Sequence, residues 1–352
     1  MDINVELWRN KRVLVTGHTG FKGSWLVFWL RELGAEIVGL SLPAPESGPS
    51  LYTDAGIRNL VSSEYFLDIR DEFGVKKVIQ ESKPDYVFHL AAQAFVPRSL
   101  KYPSESITTN VVGTANVLLA SLSLDSIRGI TIATTDKVYQ NIGNHEPFKE
   151  TDRLGSKDPY SASKAASELV VASLATTCNP HKIPVTTVRA GNVVGGGDWG
   201  QDRLVPDLVT ALNSGQTLVV RNPDATRPWQ YVLDCLKGYL LIAQSHLENE
   251  NNTPTSINFG PTNSLAVAKL ISIFEVAFGK KVKYKVGETN LNEANQLELN
   301  SQLALDYLGW RTSISSVDAI SQTATWYSKF LGGANALELM SEEISKFMVV
   351  KQ

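Results

Sequence analysis

The stretch RVLVTGHTGFKG, residues 12–23, decides how this chain folds. Its first half is a run of aliphatic residues that predicts a buried strand. Its second half spaces Gly17, Gly20 and Gly23 three residues apart, directly before the helical pattern SWLVFWLREL. Backbone without a Cβ lets a diphosphate approach, and a helix N-terminus offers free N–H groups to it. The stretch therefore predicts a dinucleotide-binding loop between a first strand and a first helix.

The rest of the first half repeats the alternation of strand and helix. Predicted strands lie in AEIVGLSL, YFLDIRD, DYVFHLAA, GITIATT and IPVTTVRAGNV, and helical patterns separate them. Apolar runs this continuous indicate strands that are buried on both faces. The predicted fold class is α/β, a Rossmann-type doubly wound parallel sheet with a smaller C-terminal substrate-binding lobe. We expect residues 1–190 to form the dinucleotide-binding domain, 191–335 mainly the substrate lobe, and 336–352 an amphipathic tail.

Composition excludes several classes of function. The 352 residues are 43% hydrophobic. The chain has 33 Lys and Arg and 36 Asp and Glu, so it has no excess of positive charge to bind nucleic acid or an anionic membrane. No apolar run approaches the roughly 20 residues of a membrane span, and no signal peptide is evident. Cys178 and Cys235 have no CxxC spacing, and no metal site is predicted. We expect a cytoplasmic protein.

Further residues are candidates for the dinucleotide site. His18 and Lys22 lie inside the glycine loop and either contact phosphate or face solvent. Asp68 is predicted to end the third strand, where a carboxylate can accept from the adenine amine. The remaining candidates flank the loop and the ends of the third and fourth strands: Phe21, Ile69, Leu90, Ala91 and Ala92.

The choice of cofactor is open on these residues. The carboxylate that grips the ribose of NAD stands at the end of the second strand in such folds, about 20 residues after the glycines. Ser41 occupies that place, and no arginine follows it to bind the extra phosphate of NADP.

Tyr160 and Lys164 in YSASKAASE are four residues apart on a helical pattern, which places both side chains on one face. A phenol titrates near 10, so a tyrosine base at pH 7 needs about 4 kcal/mol of preferential stabilisation of its phenolate. The lysine ammonium supplies part of this. Thr135, at the end of the fifth predicted strand, can hold a substrate hydroxyl.

The motifs TGHTGFKG, HLAAQ, TTDKVYQ, PYSASK and RPWQYVLD, in this order and spacing, resemble the extended short-chain dehydrogenase/reductase family over nearly the whole chain. Within that family, TDKVY followed by GGGDW and by RNP with RPWQ is most similar to the sugar-nucleotide 4,6-dehydratases that act on CDP-glucose. The resemblance implies NAD as cofactor. It also implies oxidation of the sugar at carbon 4, loss of water across carbons 5 and 6, and return of the hydride to carbon 6, as a first step toward deoxysugars of surface polysaccharide.

That reaction gives a role to TTDKVYQ, residues 134–140. Loss of the 6-hydroxyl needs a general acid, for which Asp136 is the candidate, and proton removal at carbon 5 needs a base or a group that stabilises the enolate. Related dTDP-glucose dehydratases have glutamate as this base, whereas this chain has Lys137. The lysine is either a desolvated neutral base or a charged partner of the enolate. If the segment is strand-like, Asp136 and Lys137 point to opposite faces.

The resemblance also implies a site for the nucleotide. Arg227 and Arg203 are candidates for the diphosphate, because the guanidinium fork matches phosphate geometry. Asn192, at a predicted strand end, is a candidate contact to phosphate or sugar.

The helical stretches 105–122 and 160–175 carry more small and apolar faces than one sheet needs, so we expect them to pair in a homodimer. Two other functions stay open. One is another enzyme of the same family: a different nucleotide-sugar dehydratase, or an epimerase or reductase, which would keep the tyrosine and lysine but has no use for the acid. The other is a non-catalytic nucleotide-binding protein.

Overall fold

The computed structural model describes residues 2–141, 143, 146–249, 252–287 and 297–349. Its strands, in chain order, are β1 (Arg12–Thr16), β2 (Glu36–Ser41), β3 (Ser63–Phe66), β4 (Tyr86–His89), β5 (Ile130–Ala133), β6 (Val185–Ala190), β7 (Asn192–Val194), β8 (Leu218–Val220), β9 (Thr226–Arg227), β10 (Trp229–Tyr231), β11 (Ser256–Phe259), β12 (Leu265–Ala266) and β13 (Tyr284–Val286).

The helices are α1 (Val5–Trp8), α2 (Phe21–Glu32), α3 (Leu51–Asp54), α4 (Glu72–Ser82), α5 (Val96–Lys101), α6 (Pro103–Ile107), α7 (Thr114–Leu122), α8 (Pro159–Thr177), α9 (Leu204–Ser214), α10 (Val232–Leu247), α11 (Val267–Phe278), α12 (Gln302–Leu308), α13 (Ser316–Leu331) and α14 (Ala336–Val349). Two short 3-10 turns, Ile57–Leu60 and Asp136–Val138, and a π-helical segment, Thr108–Gly113, complete the described secondary structure. Among the described residues, no helix combines the length and the apolar character that a membrane span needs.

The main sheet confirms the predicted fold class. Within the described residues it has seven strands, in the order β11-β6-β5-β4-β1-β2-β3, and every neighbouring pair is parallel. The strand order reverses at β1, whose two neighbours are β2 and β4. In such sheets ligands bind at the carboxyl ends of the strands next to this reversal, which is where the glycine loop leaves β1.

The main sheet also contains a strand from beyond residue 190. β11 pairs with β6 as the seventh strand, and α10, with almost every residue buried, packs against the same sheet. The chain therefore leaves the sheet after β6 and later returns to it as β11. This return covers the edge of β6, which would otherwise be unpaired. The smaller lobe is built from α9, α11, the pair β8–β13 and the pair β9–β12.

The C-terminal tail is a docked helix over its described part. The rings of Trp29 in α2 and Phe347 in α14 meet edge to face at 5.7 Å between centroids. Tyr231 donates a hydrogen bond to Glu343, and Met340 is fully buried. Helix α14 therefore covers the outer side of α2. The last residues of the predicted tail, 350–352, lie outside the described residues.

Candidate active site

The glycine loop is shaped by close backbone packing. Gly17 has φ +74°, and a Cβ on it would lie 2.8 Å from the backbone N of Ala91. A Cβ on Gly23 would lie 2.1 Å from the carbonyl oxygen of Gly17. Helix α2 begins at Phe21 with no side chain capping its N-terminus. The loop thus offers free N–H groups and the positive end of a helix dipole to an anion.

The side chain of His18 corrects the sequence-based prediction. Its ring is 0% exposed, and Nε2 lies 2.7 Å from Oε1 of Glu64, which also accepts a hydrogen bond of 2.6 Å from Tyr52. Burial lowers the pKa of His18 below its usual value despite the carboxylate. The ring therefore does not face solvent, and its Nε2 is engaged by Glu64.

Lys22 also points inward. Its Nζ donates to the hydroxyl of Tyr239 at 3.1 Å and lies 5.4 Å from the centre of that ring. Burial lowers the pKa of this amine, and the charge of Asp136 partly opposes the effect. Lys22 is half-buried and lines the cleft described below.

The end of β2 carries a hydroxyl pair in place of a carboxylate. The Oγ of Ser41 lies 2.8 Å from Oγ1 of Thr19, and the Thr19 hydroxyl lies 3.0 Å from the carbonyl of Leu42. Neither a carboxylate nor an arginine stands at this position, as the sequence predicted.

The remaining dinucleotide candidates have different surroundings. Strand β3 ends at Phe66, so Asp68 lies two residues beyond it rather than at its end. The Asp68 carboxylate accepts from Arg70, which holds its pKa below the usual range. Ile69 is buried in the apolar core behind the sheet. Of the residues after β4, Leu90 and Ala92 line the cleft, whereas Ala91 packs against the core.

The segment after β5 is not extended. Asp136–Val138 forms a 3-10 turn, and the Thr135 hydroxyl both donates to Oδ1 of Asp136 at 3.0 Å and accepts from the backbone N–H of Lys137 at 3.3 Å. Asp136 is 3% exposed. Burial raises the pKa of its carboxyl, and the opposing charge of Lys137 does not outweigh this effect. Asp136 is therefore suited to carry a proton as a general acid.

Helix α8 brings the tyrosine and the lysine to the same place. Asp158 caps its N-terminus by accepting from the backbone N–H of Ser161 at 3.0 Å. Burial raises the pKa of Tyr160 to about 12, and a hydrogen bond with Thr135 opposes this rise. The Nζ of Lys164 donates to the carbonyl of Ala133 at 2.9 Å, and burial lowers its pKa to about 7. Lys164 is thus anchored to the end of β5.

A single cleft of about 340 Å³ joins these groups at the carboxyl edge of the sheet. All five predicted catalytic residues and all three predicted substrate residues line it: Thr135, Asp136, Lys137, Tyr160, Lys164, Asn192, Arg203 and Arg227. They come from the segment after β5, from α8, from β7, from the residue that precedes α9 and from β9, separated by up to about 90 positions in the chain. The cleft extends between the sheet and the smaller lobe.

The two arginines have distinct environments. Arg203 donates to Asp198 at 3.0 Å and its guanidinium carbon lies 5.2 Å from the centre of the Phe95 ring. Arg227 donates to the carbonyl of Thr226 at 2.8 Å, and its positive charge lowers the pKa of Asp136. Arg227 is therefore near Asp136.

Sequence reasoning missed several lining residues. Asp198, 5% exposed, orients Arg203, and its backbone carbonyl accepts from Tyr327 at 2.5 Å. At the outer end of the cleft, Asp207 has its pKa raised to about 6 by burial and by the charge of Asp202, while Arg221 opposes this rise. The excess of Asp and Arg in 198–221 is the one local signal for this end of the site.

Fold and cleft together define a dinucleotide-binding α/β protein of the extended short-chain dehydrogenase/reductase class. The chain belongs to the GDP-mannose 4,6 dehydratase family, whose sequence pattern matches residues 14–323.

Individual relatives agree with this assignment. The chain is 37% identical over 355 positions to the CDP-glucose 4,6-dehydratase of Salmonella typhimurium, covering 98% of both chains. Among solved structures, DesIV, a dTDP-glucose 4,6-dehydratase from Streptomyces venezuelae with NAD bound, is 25% identical with a TM-score of 0.77, covering 93% of this chain and 99% of that one. The UDP-glucose 4-epimerase of Thermotoga maritima shares the fold, with 24% identity, a TM-score of 0.79, and coverage of 91% and 99%.

Proposed function

We propose that this protein is an NAD-dependent CDP-glucose 4,6-dehydratase. It converts CDP-D-glucose to CDP-4-dehydro-6-deoxy-D-glucose and water. The observation that carries the proposal is the buried Asp136, with its raised pKa, in the same cleft as Tyr160 and Lys164. An epimerase needs no such acid, and a binding protein needs none of the three. The similarity to the Salmonella typhimurium enzyme supports the choice of CDP-glucose.

The residues at the reversal of strand order fit NAD. A Cβ would fill the space that Gly17 and Gly23 leave for close packing of the loop, and the uncapped start of α2 provides N–H donors for the diphosphate. The glycine loop and the start of α2 would hold NAD, which would supply a hydride acceptor for carbon 4 and a hydride donor for carbon 6. We propose NAD rather than NADP because a hydride returned within one turnover needs no reducing pool. The Thr19–Ser41 hydroxyl pair offers no cation to an extra phosphate.

Tyr160 is the base for the 4-hydroxyl proton in this proposal. Burial raises the pKa of its phenol, so Tyr160 can accept this proton only after its own phenol proton has been lost. The charge of Arg203 and the hydrogen bond with Thr135 act in the opposite direction and favour the phenolate. Lys164 is held against the Ala133 carbonyl, and because burial lowers its pKa to about 7 it adds positive charge beside the sheet edge only while its amine is protonated. The Thr135 hydroxyl would orient the 4-hydroxyl of the substrate beside Tyr160.

Asp136 and Lys137 then act on carbons 5 and 6. Asp136 donates its proton to the departing 6-hydroxyl, which leaves as water. Lys137, half-buried and facing the same cleft, either removes the carbon 5 proton as a neutral amine or stabilises the enolate as a cation. Arg203 and Arg227 are proposed to bind the diphosphate, with Asn192 beside the sugar.

We also propose a homodimer formed through the helices on one side of the sheet. Large apolar side chains are exposed along α5 to α8: Leu100, Tyr102, Ile107, Val112, Leu119 and Leu169 are between 40% and 63% exposed. Such a row of apolar side chains is typical of a helix–helix interface. A monomeric mass in solution would contradict it. The cytoplasmic location stays a prediction.

A product assay across nucleotide sugars tests the function. Purified protein with NAD and CDP-glucose should give a 4-keto-6-deoxy product, with slower or no conversion of dTDP-, GDP- and UDP-glucose. Deuterium at carbon 4 should reappear at carbon 6. An inverted 4-hydroxyl in the product would instead identify an epimerase, and binding without conversion of any of the four sugars would identify a nucleotide-binding protein.

A further inference from the structure

A buried ion pair lies directly behind the cleft. Arg189 of β6 and Glu168 of α8 are each 4% exposed in their side chains, and they meet through two parallel hydrogen bonds of 2.9 Å. Both carboxylate oxygens accept a second hydrogen bond of 2.6 Å, one from Thr134 and the other from Thr187. Burying such a pair adds little to stability compared with apolar residues of the same volume. Its main consequence lies in the segments that it joins.

The pair holds both ends of the segment that carries the proposed acid. Thr134, bound to Glu168, directly precedes Thr135. At the other end, the Nη1 of Arg189 donates to the hydroxyl of Tyr139 at 2.8 Å, and this hydroxyl donates to Asn258 at 2.7 Å. Tyr139 directly follows the 3-10 turn Asp136–Val138. The turn is therefore fixed on both sides by one ion pair.

The same pair is attached to the helix of the proposed base. Glu168 lies one turn after Lys164 on α8, and its negative charge raises the pKa of Lys164 against the effects of burial and of the charge on Lys22. His89, on the neighbouring strand, has its pKa lowered to about 3 by burial, so it adds no charge there. Glu168 thus joins helix α8, which carries Tyr160 and Lys164, to the segment that carries Asp136. Both elements must face one substrate.

We propose that the Glu168–Arg189 pair positions the catalytic segment 134–139 against helix α8 for the elimination step. Neither side chain lines the cleft, so both are positioning residues that act through Thr134 and Tyr139. A displacement of about 1 Å in a catalytic group can cost about 100-fold in rate. This inference rests on the proposed dehydratase function, because the step that it serves is the loss of water.

Two threonines give a matched test. Thr134→Val and Thr187→Val each remove a 2.6 Å hydrogen bond to Glu168, and each hydroxyl also lies 3.4 Å from a backbone carbonyl. Only Thr134 belongs to the catalytic segment. We expect Thr134→Val to lower kcat about tenfold with KM within twofold, and NADH absorbance to build up as water loss slows. Thr187→Val should keep its kcat within twofold of that of the unmodified protein, although it should lose as much thermal stability as Thr134→Val.

Tyr139→Phe tests the other end of the segment. It removes the phenol oxygen and keeps the ring, which stacks on Phe148 at 4.8 Å between centroids. The same fall in kcat is expected. A second readout, amide hydrogen exchange of residues 135–139, needs no substrate: it should be faster in Thr134→Val and Tyr139→Phe and unchanged in Thr187→Val.

The two readouts separate the two proposals. If the unmodified protein converts none of the nucleotide sugars, the proposed function fails, and hydrogen exchange alone decides whether the pair positions the segment. Equal losses of kcat in the two valine variants overturn the positioning role. Equal rates of amide hydrogen exchange at residues 135–139 in Thr134→Val and Thr187→Val would also overturn it.

Discussion

The glycine loop, residues 17–23, and the catalytic segment, residues 134–139, both follow a parallel strand at the same edge of the sheet, yet they are built in different ways. The loop is held by backbone atoms of its own residues and of the adjacent end of β4. The segment is held by side chains of α8, β6 and β11, which lie 30 to 120 positions away in the chain.

This difference separates two kinds of sensitivity. The loop acts through shape, because a backbone that must be approached closely has no room for a Cβ. In the proposed function the segment acts through charge and protonation in a buried environment, where each polar group has a large effect. A change of charge at constant shape should therefore damage the segment most, and a change of volume at constant charge should damage the loop most.

Asp136→Asn is the largest test on the segment, since it keeps the shape and removes the proton. We expect turnover to fall by about 100- to 10,000-fold. Oxidation at carbon 4 should still occur, so NADH absorbance should rise on mixing with substrate and persist. Stopped-flow absorbance measures this. Asp125→Asn, at an exposed carboxylate after α7, is the control. Loss of oxidation together with water loss would show that Asp136 acts before the elimination.

Lys137→Met keeps the length of the side chain and removes its amine and its charge. Proton removal at carbon 5 should slow by about 100-fold, measured as solvent exchange at that carbon. The limb of the pH profile that Lys137→Met loses distinguishes the two roles: a limb that rises with pH identifies a neutral base, and a limb that falls with pH identifies a charged enolate partner. Lys157→Met, at an exposed lysine, is the control. Exchange at the normal rate in Lys137→Met would remove the lysine from the mechanism.

Gly17→Ala tests the loop by volume alone. The new Cβ would meet the backbone of Ala91 at 2.8 Å, whereas a Cβ on Gly279, which has a similar φ of +82°, would have nothing within 4 Å. Both alanines bear the strain of a left-handed backbone, so their difference isolates the contact. We expect Gly17→Ala to weaken NAD binding by about 10- to 100-fold relative to Gly279→Ala, corresponding to about 1–3 kcal/mol of overpacking. Calorimetric titration with NAD measures the difference, and equal affinities would contradict the shape argument.

The pH dependence of turnover tests the proton on Asp136, and it is the smallest of the expected effects. Burial raises the pKa of Asp136, so its proton is present below that pKa and lost as the pH rises through it. Turnover should therefore fall by about tenfold per pH unit on the alkaline side. The same limb should be missing from the residual activity of Asp136→Asn. A limb that persists in that variant would assign it to another group, such as Lys164.

Local sequence patterns were sufficient to predict much of the fold and several residues of the candidate site. The alternation of strands and helices, the glycine loop and the spacing of Tyr160 and Lys164 depend on residues close together in the chain, and the structure places all three as predicted. The return of β11 to the sheet was not predicted. The stretch SINF is short and follows a helix as any strand of the smaller lobe would, and only its pairing with β6 distinguishes it.

The amino-acid sequence by itself determined the fold class and the chemical groups of the site, because strand burial, helix periodicity and the need for glycine at close backbone contacts are local properties. Tertiary structure alone decided what those groups can do. It buried His18 against Glu64, turned Lys22 toward Tyr239, and raised the pKa of Asp136. Desolvation and hydrogen bonding depend on which distant residues surround a group, and a one-dimensional pattern does not contain that information.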